Sequence, residues 1–515
     1  MHRFLDDDDS VINSGNDLWL TTVAGSSVED EHHQQRTGKL GEVEGTCELD
    51  NELIEVLPIV TTTIVVVVVV DDDDDDDSTI RYFFQTVWNS ELNISIAGSS
   101  RLSAIFLIIN AALGAGLLNF PQAFDQAGGI VTAITVQVIL LAWIMCALLI
   151  LAHCSDQTSA RTLQDVLEGV YGRPGLIACS SAVALYCFGT CVTFLIIIGD
   201  QFDRVLSSLH GLDFCHYWYM NRYFTIALSS SVFILPFCYS KRIDFLKYVS
   251  SVGVVAVVYV VILIVCQKYM GNFMPGPVKT GPSHWTDVFL VVPVICFGYQ
   301  CHVSVIPIYA CLRERNLNNF TLCASVAIGV CVAAYTLAGV YGYLTFGAYV
   351  TSDILESYSG SDMLVLIGIL AIAIKTYTTY PILLFCGREA VSNLWANLLH
   401  NSESDVAVME RRRRVTIATI WYILTLVLAV LSPDIGSVID ILGSLAAVFI
   451  FVFPGLCLMQ STLHKDPHII LNKDRFAVLA AVLFILLGTF IFGVVFVQAA
   501  MRLYNNPPVN VRLCN

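Results

Sequence analysis

From Ser103 onward the chain alternates long apolar runs with short polar connections. The hydrocarbon core of a bilayer is about 30 Å thick and takes about 20 helical residues to cross. Runs near 103–124, 130–153, 176–199, 222–239, 248–267, 286–311, 320–345, 362–387, 415–432, 435–459 and 477–500 fit that length, which predicts eleven membrane-spanning helices. Backbone that faces lipid must satisfy its own N–H and C=O groups, so the fold class is all-α. Residues 1–98 break the pattern. Pure repeats such as Val65–Val70 followed by Asp71–Asp77 offer no face to pack, and this stretch reads as a disordered, low-complexity arm. Its apolar run Ile59–Val70 is too short to cross a bilayer. The expected organisation is an acidic cytosolic tail over 1–98, an eleven-helix body over 99–500 and a short C-terminal tail over 501–515.

Composition agrees with the pattern. Of 515 residues, 56% are hydrophobic and 14% charged, against about 25% charged in soluble domains. That excludes a soluble protein, whose surface needs more polar cover. The 17 cysteines lie mostly inside apolar runs, where they pack as small hydrophobes, so a secreted disulfide scaffold is excluded too. The net charge of −16 comes mostly from Asp6–Asp9 and Asp71–Asp77. A polyanionic tail repels nucleic acid and anionic lipid, which leaves a cytosolic protein as the partner such a tail would engage. No basic region followed by an apolar one opens the chain, so no cleavable signal peptide is expected. No Walker loop, strand-borne Gly-rich motif, His-Glu-x-x-His or zinc-spaced Cys-x-x-Cys pair is present, and an enzyme is not expected.

Orientation follows from the Lys/Arg bias of short loops. With the tail inside, the inner segments carry Arg161, Arg173, Lys241, Arg242, Lys247, Arg313, Arg315, Arg388, Arg411–Arg414, Lys465, Lys473 and Arg475. The outer segments carry Arg204, Arg222, Lys268, Lys279, Arg502 and Arg512. The excess predicts a cytosolic N-terminus and a lumenal or extracellular C-terminus. The sequons at Asn93 and Asn319 then face the cytosol and should carry no glycan. Cys215 and Cys514 both fall outside, either as a disulfide in an oxidising lumen or as two free thiols.

Two runs are not built as plain helices. The first contains Asn110-Ala-Ala-Leu113-Gly114-Ala115-Gly116-Leu-Leu-Asn119-Phe-Pro121. Glycines one residue apart, with a proline five residues on, weaken a helix at mid-membrane depth. The backbone groups so freed must line a protein cavity. The sixth run has the matching feature: Pro293, then Cys296-Phe297-Gly298-Tyr299-Gln300-Cys-His302, then Pro307. Each glycine pair alone is also explained by close helix packing. Two breaks five runs apart are instead the pattern of a five-plus-five inverted repeat with its substrate site at the midplane. The N-terminal ends of half-helices suit a carboxylate, and freed carbonyls suit an ammonium or a cation. A zwitterionic amino acid matches both.

The first break resembles the first helix of the sodium-coupled neutral amino acid transporters, in the amino acid/auxin permease family. Further matches are Phe188-Gly-Thr-Cys191 with Phe194–Asp200, Cys296–His302, Tyr380-Pro381 with Phe385–Arg388, and Pro433–Gly436 running to Phe453–Leu456. The likeness covers about residues 101–500 and is strongest to the lysosomal glutamine/asparagine branch. It implies a leucine-transporter-like fold, a neutral amide amino acid as substrate and a cation gradient as driving force. It implies substrate contacts from Asn110, Leu113, Gly114, Ala115, Gly116, Phe297, Gly298, Tyr299 and Ser444, and no cofactor beyond a sodium ion. A lysosomal membrane follows from the likeness. The inner segments carry no convincing acidic dileucine or Tyr-based sorting signal, and a plasma-membrane address stays open.

In that fold sodium sits between first-helix carbonyls, with Asn110 beside them, and eighth-helix positions i, i+3 and i+4. Here these are Lys375, Thr378 and Thr379. The spacing puts all three on one helix face, but the family usually has a small residue where Lys375 stands. Three readings are open. Lys375 replaces the cation, and transport is sodium-independent or proton-linked; or it pairs with Asp440 in the tenth run; or its ammonium snorkels to water and sodium still binds. His302 is either a proton carrier or a packed core histidine. Tyr186, Thr190 and Ser444 with Gly443 either touch substrate or pack helices, and Gly189 reads as a close-approach position. Arg411–Arg414 reads as a topology-fixing basic cluster. The main rival function is an amino acid receptor of the same fold that signals through the tail.

Overall fold

The computed structural model describes residues 100–211, 217–240, 244–271, 273–360, 362–399, 410–431, 434–463 and 472–505. The acidic tail, Asn93, Cys215, Cys514 and the C-terminal tail lie outside these residues. Among the described residues the secondary structure is helical, with no strand. Nine helices are long and apolar enough to cross a membrane: Ile130–Thr158, Arg173–His210, Gly253–Met270, Trp285–Ala310, Leu317–Tyr349, Met363–Trp395, Arg411–Leu431, Ile435–Leu463 and Asp474–Arg502. A tenth is the bent pair Arg101–Ala112 and Ala115–Gln126.

The fourth expected span takes a different form. It is two pieces, Arg222–Phe233 and Leu235–Cys238, neither long enough to count alone. Pro236 near the start of the second piece is the cause. A proline has no N–H to continue the ladder, and its ring clashes with the carbonyl four residues back. The described residues therefore give ten spans by length and composition, with this broken pair beside them. Ordinals below follow the chain, with the pair counted fourth.

Local chemistry sets the helix ends. The Ser100 hydroxyl accepts from the Ser103 N–H at 3.2 Å and starts the first span. Asp434 accepts from Gly436 and Ser437 and starts the tenth. The Arg101–Ala112 helix packs on the seventh span, Val292–Gly298 packs on Ile435–Ala447, and the third and eighth spans form the most extensive pair. Small residues allow these approaches. A methyl group on Gly443 would lie 2.2 Å from the Pro293 carbonyl, and one on Gly189 would lie 2.4 Å from Leu442. Cys187 and Cys191 are buried in the same packing. The core of the body is therefore the bundle interior, and it surrounds the two broken spans.

Candidate functional site

The first span stops being helical after Ala112. Leu113 has φ −73° and ψ 86°, and Gly114 is extended at φ −110°, ψ −166°. A 3-10 turn over Ala115–Asn119 then leads into Phe120–Gln126, with Pro121 in its first turn. The two halves bend by 49°. The sixth span breaks after Gly298 and resumes at His302. Space is tight where the breaks meet. A methyl group on Gly116 would lie 3.1 Å from Phe297 Cδ1 and 3.2 Å from Gly298 Cα. One on Gly298 would lie 3.0 Å from the Phe120 ring.

One side chain from the seventh span staples both breaks. The Tyr335 hydroxyl lies 2.7 Å from the Ala112 carbonyl and 2.9 Å from the Gly298 carbonyl, and it accepts from the Gly114 N–H at 3.3 Å. A hydroxyl has one proton, so it donates to one of these carbonyls at a time. Its ring stacks on Phe120 at 4.4 Å and meets Tyr299 edge-on at 5.0 Å. Tyr299 in turn accepts from the Gln137 amide at 2.7 Å. Tyr335 and Gln137 carry no sequence signal, because a tyrosine or glutamine within an apolar run has no spacing that reveals partners 37, 162 or 223 residues away.

Lys375 reaches the first break. Its Nζ donates to the Leu113 carbonyl at 2.5 Å, and the residue is 6% exposed. Its stem lies against Gly253 of the fifth span, where a methyl group would sit 2.8 Å from Cγ. Lys375 and Thr376 line a small cavity of about 10 Å³ with Gly114, Ala115, Phe194 and Val257, about the room of one water. Asp440 does not meet Lys375. It pairs with Arg502 at 2.8 Å, and Arg502 also donates to Gln126. The other expected ligands are spread out. Thr378 bonds the Ile374 and Lys375 carbonyls and lines an apolar groove between the third, fourth and eighth spans. Thr379 bonds the Lys375 carbonyl, and Asn110 is half-buried in the first helix. A sodium ion does not fit this donor set, because the first-helix carbonyl that would bind it already holds an ammonium.

The remaining candidates divide. Phe297 packs on Tyr186 at 6.2 Å, which in turn packs on Phe449. Thr190 and Ser444 donate to carbonyls of their own helices, as helix-packing residues do. His302 is fully buried, and neither of its ring nitrogens has a hydrogen-bond partner among the described residues; the same holds for the Gln300 amide nitrogen.

The Gln126 end of the bundle is closed by the segment between the seventh and eighth spans. Asn119 donates to the Ser352 carbonyl at 2.9 Å, Gln201 to Asp353 Oδ2 at 3.0 Å, and Ser208 to the Gly360 carbonyl at 2.8 Å. Beside them Arg222 pairs with Asp200 at 2.5 Å and Asp203 at 2.9 Å. Burial, reinforced by the charge of Asp200, pushes the Asp353 carboxyl up to about 7. Burial and the charge of Asp353 push Glu356 to about 7 as well.

A family model described as transmembrane amino acid transporter protein matches residues 97–501. The Danio rerio sodium-coupled neutral amino acid transporter 7 is 42% identical over 427 residues, covering 81% of this chain and 91% of its own. The Homo sapiens protein of that name is 42% identical, covering 77% and 86%. Solute carrier family 38 member 8 of Homo sapiens is 35% identical, covering 76% and 92%. The crystal structure of MhsT in complex with L-phenylalanine aligns with 78% of this chain and 99% of its own, at 14% identity and a TM-score of 0.49. The broken first span, the broken sixth span and the matched family model agree: this chain is a member of the transmembrane amino acid transporter family.

Proposed function

We propose that this protein is a secondary-active carrier that moves a neutral amino acid across a membrane by alternating access around the two helix breaks. One observation carries the reading: Gly116 and Gly298 bring the breaks into contact, and the Tyr335 hydroxyl bridges them. Freed backbone groups at one place suit a zwitterion, whose carboxylate takes N–H groups and whose ammonium takes carbonyls. In this reading Asn110, Leu113, Gly114, Ala115 and Gly116 contact the substrate from one side. Phe297, Gly298, Tyr299 and Ser444 contact it from the other.

The relatives' name, neutral amino acid transporter, supports that substrate class. A side-chain amide, as in glutamine or asparagine, is the substrate proposed. The Lys/Arg bias supports a cytosolic Arg101 end and a lumenal or extracellular Gln126 end, in the lysosomal membrane. The acidic tail then faces the cytosol, where a partner protein would meet it.

The test is uptake of radiolabelled Gln, Asn, Leu and Arg by the purified full chain in liposomes. Gln and Asn should accumulate and Arg should not. Gly116→Val should abolish accumulation, because its side chain would strike Phe297 and Gly298. Binding without accumulation would sink the carrier reading and favour a receptor.

A further inference from the structure

We propose that the Lys375 ammonium is a built-in cation that takes the place of sodium, so that substrate moves through this protein without sodium coupling. The inference rests on the carrier reading and departs from the relatives, which are named sodium-coupled. Three observations carry it. The Lys375 Nζ sits on the carbonyl of Leu113, the last residue before the extended Gly114, which is the acceptor a helix break frees. The residue is buried, and among the described residues no carboxylate pairs with it, since Asp440 is held by Arg502. The position is also built for a long side chain, because the fifth span has Gly253 where the stem passes.

The chemistry follows from the donor count. A freed carbonyl in a low-dielectric interior needs a positive or hydrogen-bearing partner. An ammonium supplies both and cannot dissociate, because it is tethered to the eighth span. A soluble ion can leave with the substrate and so transmit its gradient; a tethered one cannot. Opening the site by tilting the Arg101–Ala112 half-helix must pull the Leu113 carbonyl off the ammonium. The contact therefore marks the closed state and is remade in each cycle by the protein itself. A lysine serving only as a helix-packing tether would leave a separate sodium site in place, and the experiment separates the two.

The full chain is reconstituted, and labelled glutamine uptake is compared in sodium chloride and choline chloride. In parallel, the melting temperature of the purified protein is measured in the same two salts. The wild type should take up glutamine equally in both, and sodium should leave its melting temperature unchanged. Lys375→Ser, which vacates the carbonyl and adds a hydroxyl, should become sodium-stimulated by at least about fivefold, the lower range of coupling between linked ligands. Sodium should also raise its melting temperature. Lys375→Arg, which keeps the charge, should stay indifferent to sodium. Loss of wild-type uptake in choline, or a sodium-specific rise in the wild-type melting temperature, would overturn the proposal. If Lys375→Ser does not fold, Lys375→Thr serves as a second variant that vacates the carbonyl and keeps a hydroxyl, with the same expectation. If no variant takes up any amino acid, the carrier reading fails, and the melting series alone still decides the sodium question.

Discussion

Arg222 and Lys375 are both set into this bundle, Arg222 partly buried and Lys375 buried, and they are held in opposite ways. At the Gln126 end Arg222 sits between Asp200 and Asp203 and also donates to the Ile196 carbonyl at 3.2 Å. At the break Lys375 has one backbone carbonyl and, among the described residues, no carboxylate. The first arrangement matches charge with charge and gives the guanidinium three acceptors. The second matches a charge with a dipole, beside a Tyr335 hydroxyl that has one proton for two carbonyls. A buried ion pair resists separation because each ion left alone would be uncompensated. A carbonyl that leaves an ammonium gives up only one hydrogen bond. The region around Arg222 is therefore built to stay assembled, and the break is built to exchange partners.

The largest expected effect comes from breaking the matched region. Arg222→Ala leaves Asp200 buried and Asp203 half-buried without their cation, and losing one partner of a buried pair costs about 3–5 kcal/mol. Thermal unfolding in detergent should show that loss, and Arg222→Lys should recover part of it. A cost near zero would mean the two regions do not differ as described.

Next comes Tyr335→Phe. It removes the bridging hydroxyl and leaves the Ala112 and Gly298 carbonyls and the Gly114 N–H short of a partner. An unsatisfied buried group costs about 1–3 kcal/mol, so stability should fall less than in Arg222→Ala. Uptake of labelled glutamine should fall much further than the melting temperature, because the hydroxyl acts where the chain must switch. A proportional loss of both would make Tyr335 an ordinary core residue.

The smallest effect is a pH dependence. Asp353 is fully buried, and its folded value stands at about 7 against 3.8 unperturbed. A carboxyl raised on folding favours the packed state fully only below its unfolded value, and that contribution is lost as pH rises through about 7. Melting temperature should therefore decline between about pH 4 and pH 7. Asp353→Asn should flatten the decline, with Gln201 turning its amide so that Oε1, which has no partner among the described residues, accepts from the asparagine. Glu356 shifts the same way, so part of the slope should remain. An unchanged profile would remove Asp353 from the account.

Much of the scaffold was legible without coordinates. Apolar runs of bilayer length mark spans because lipid forces the backbone to satisfy itself locally, and that constraint acts on one helix at a time. The breaks were legible for the same reason: Gly114, Gly116 and Pro121, like Pro293 and Gly298, weaken a helix wherever they stand. The fourth span shows the limit. Its hydropathy is unbroken, but the helix stops at Phe233 and restarts at Leu235 with Pro236 in its first turn.

What joins the elements was not legible. The Tyr335 hydroxyl meets Ala112 across 223 positions, Lys375 meets Leu113 across 262, and Gln201 meets Asp353 across 152. Helical spacing puts Lys375, Thr378 and Thr379 on one face, yet Lys375 and Thr376 line the cavity at the break while Thr378 lines another groove. A helix face is wide enough to border two neighbours. The sequence by itself determined the helices and where they fail, because those follow from each residue's own backbone and its affinity for lipid. Only the tertiary structure decided which carbonyl the lysine took, because that depends on helices packed at distances no periodicity encodes.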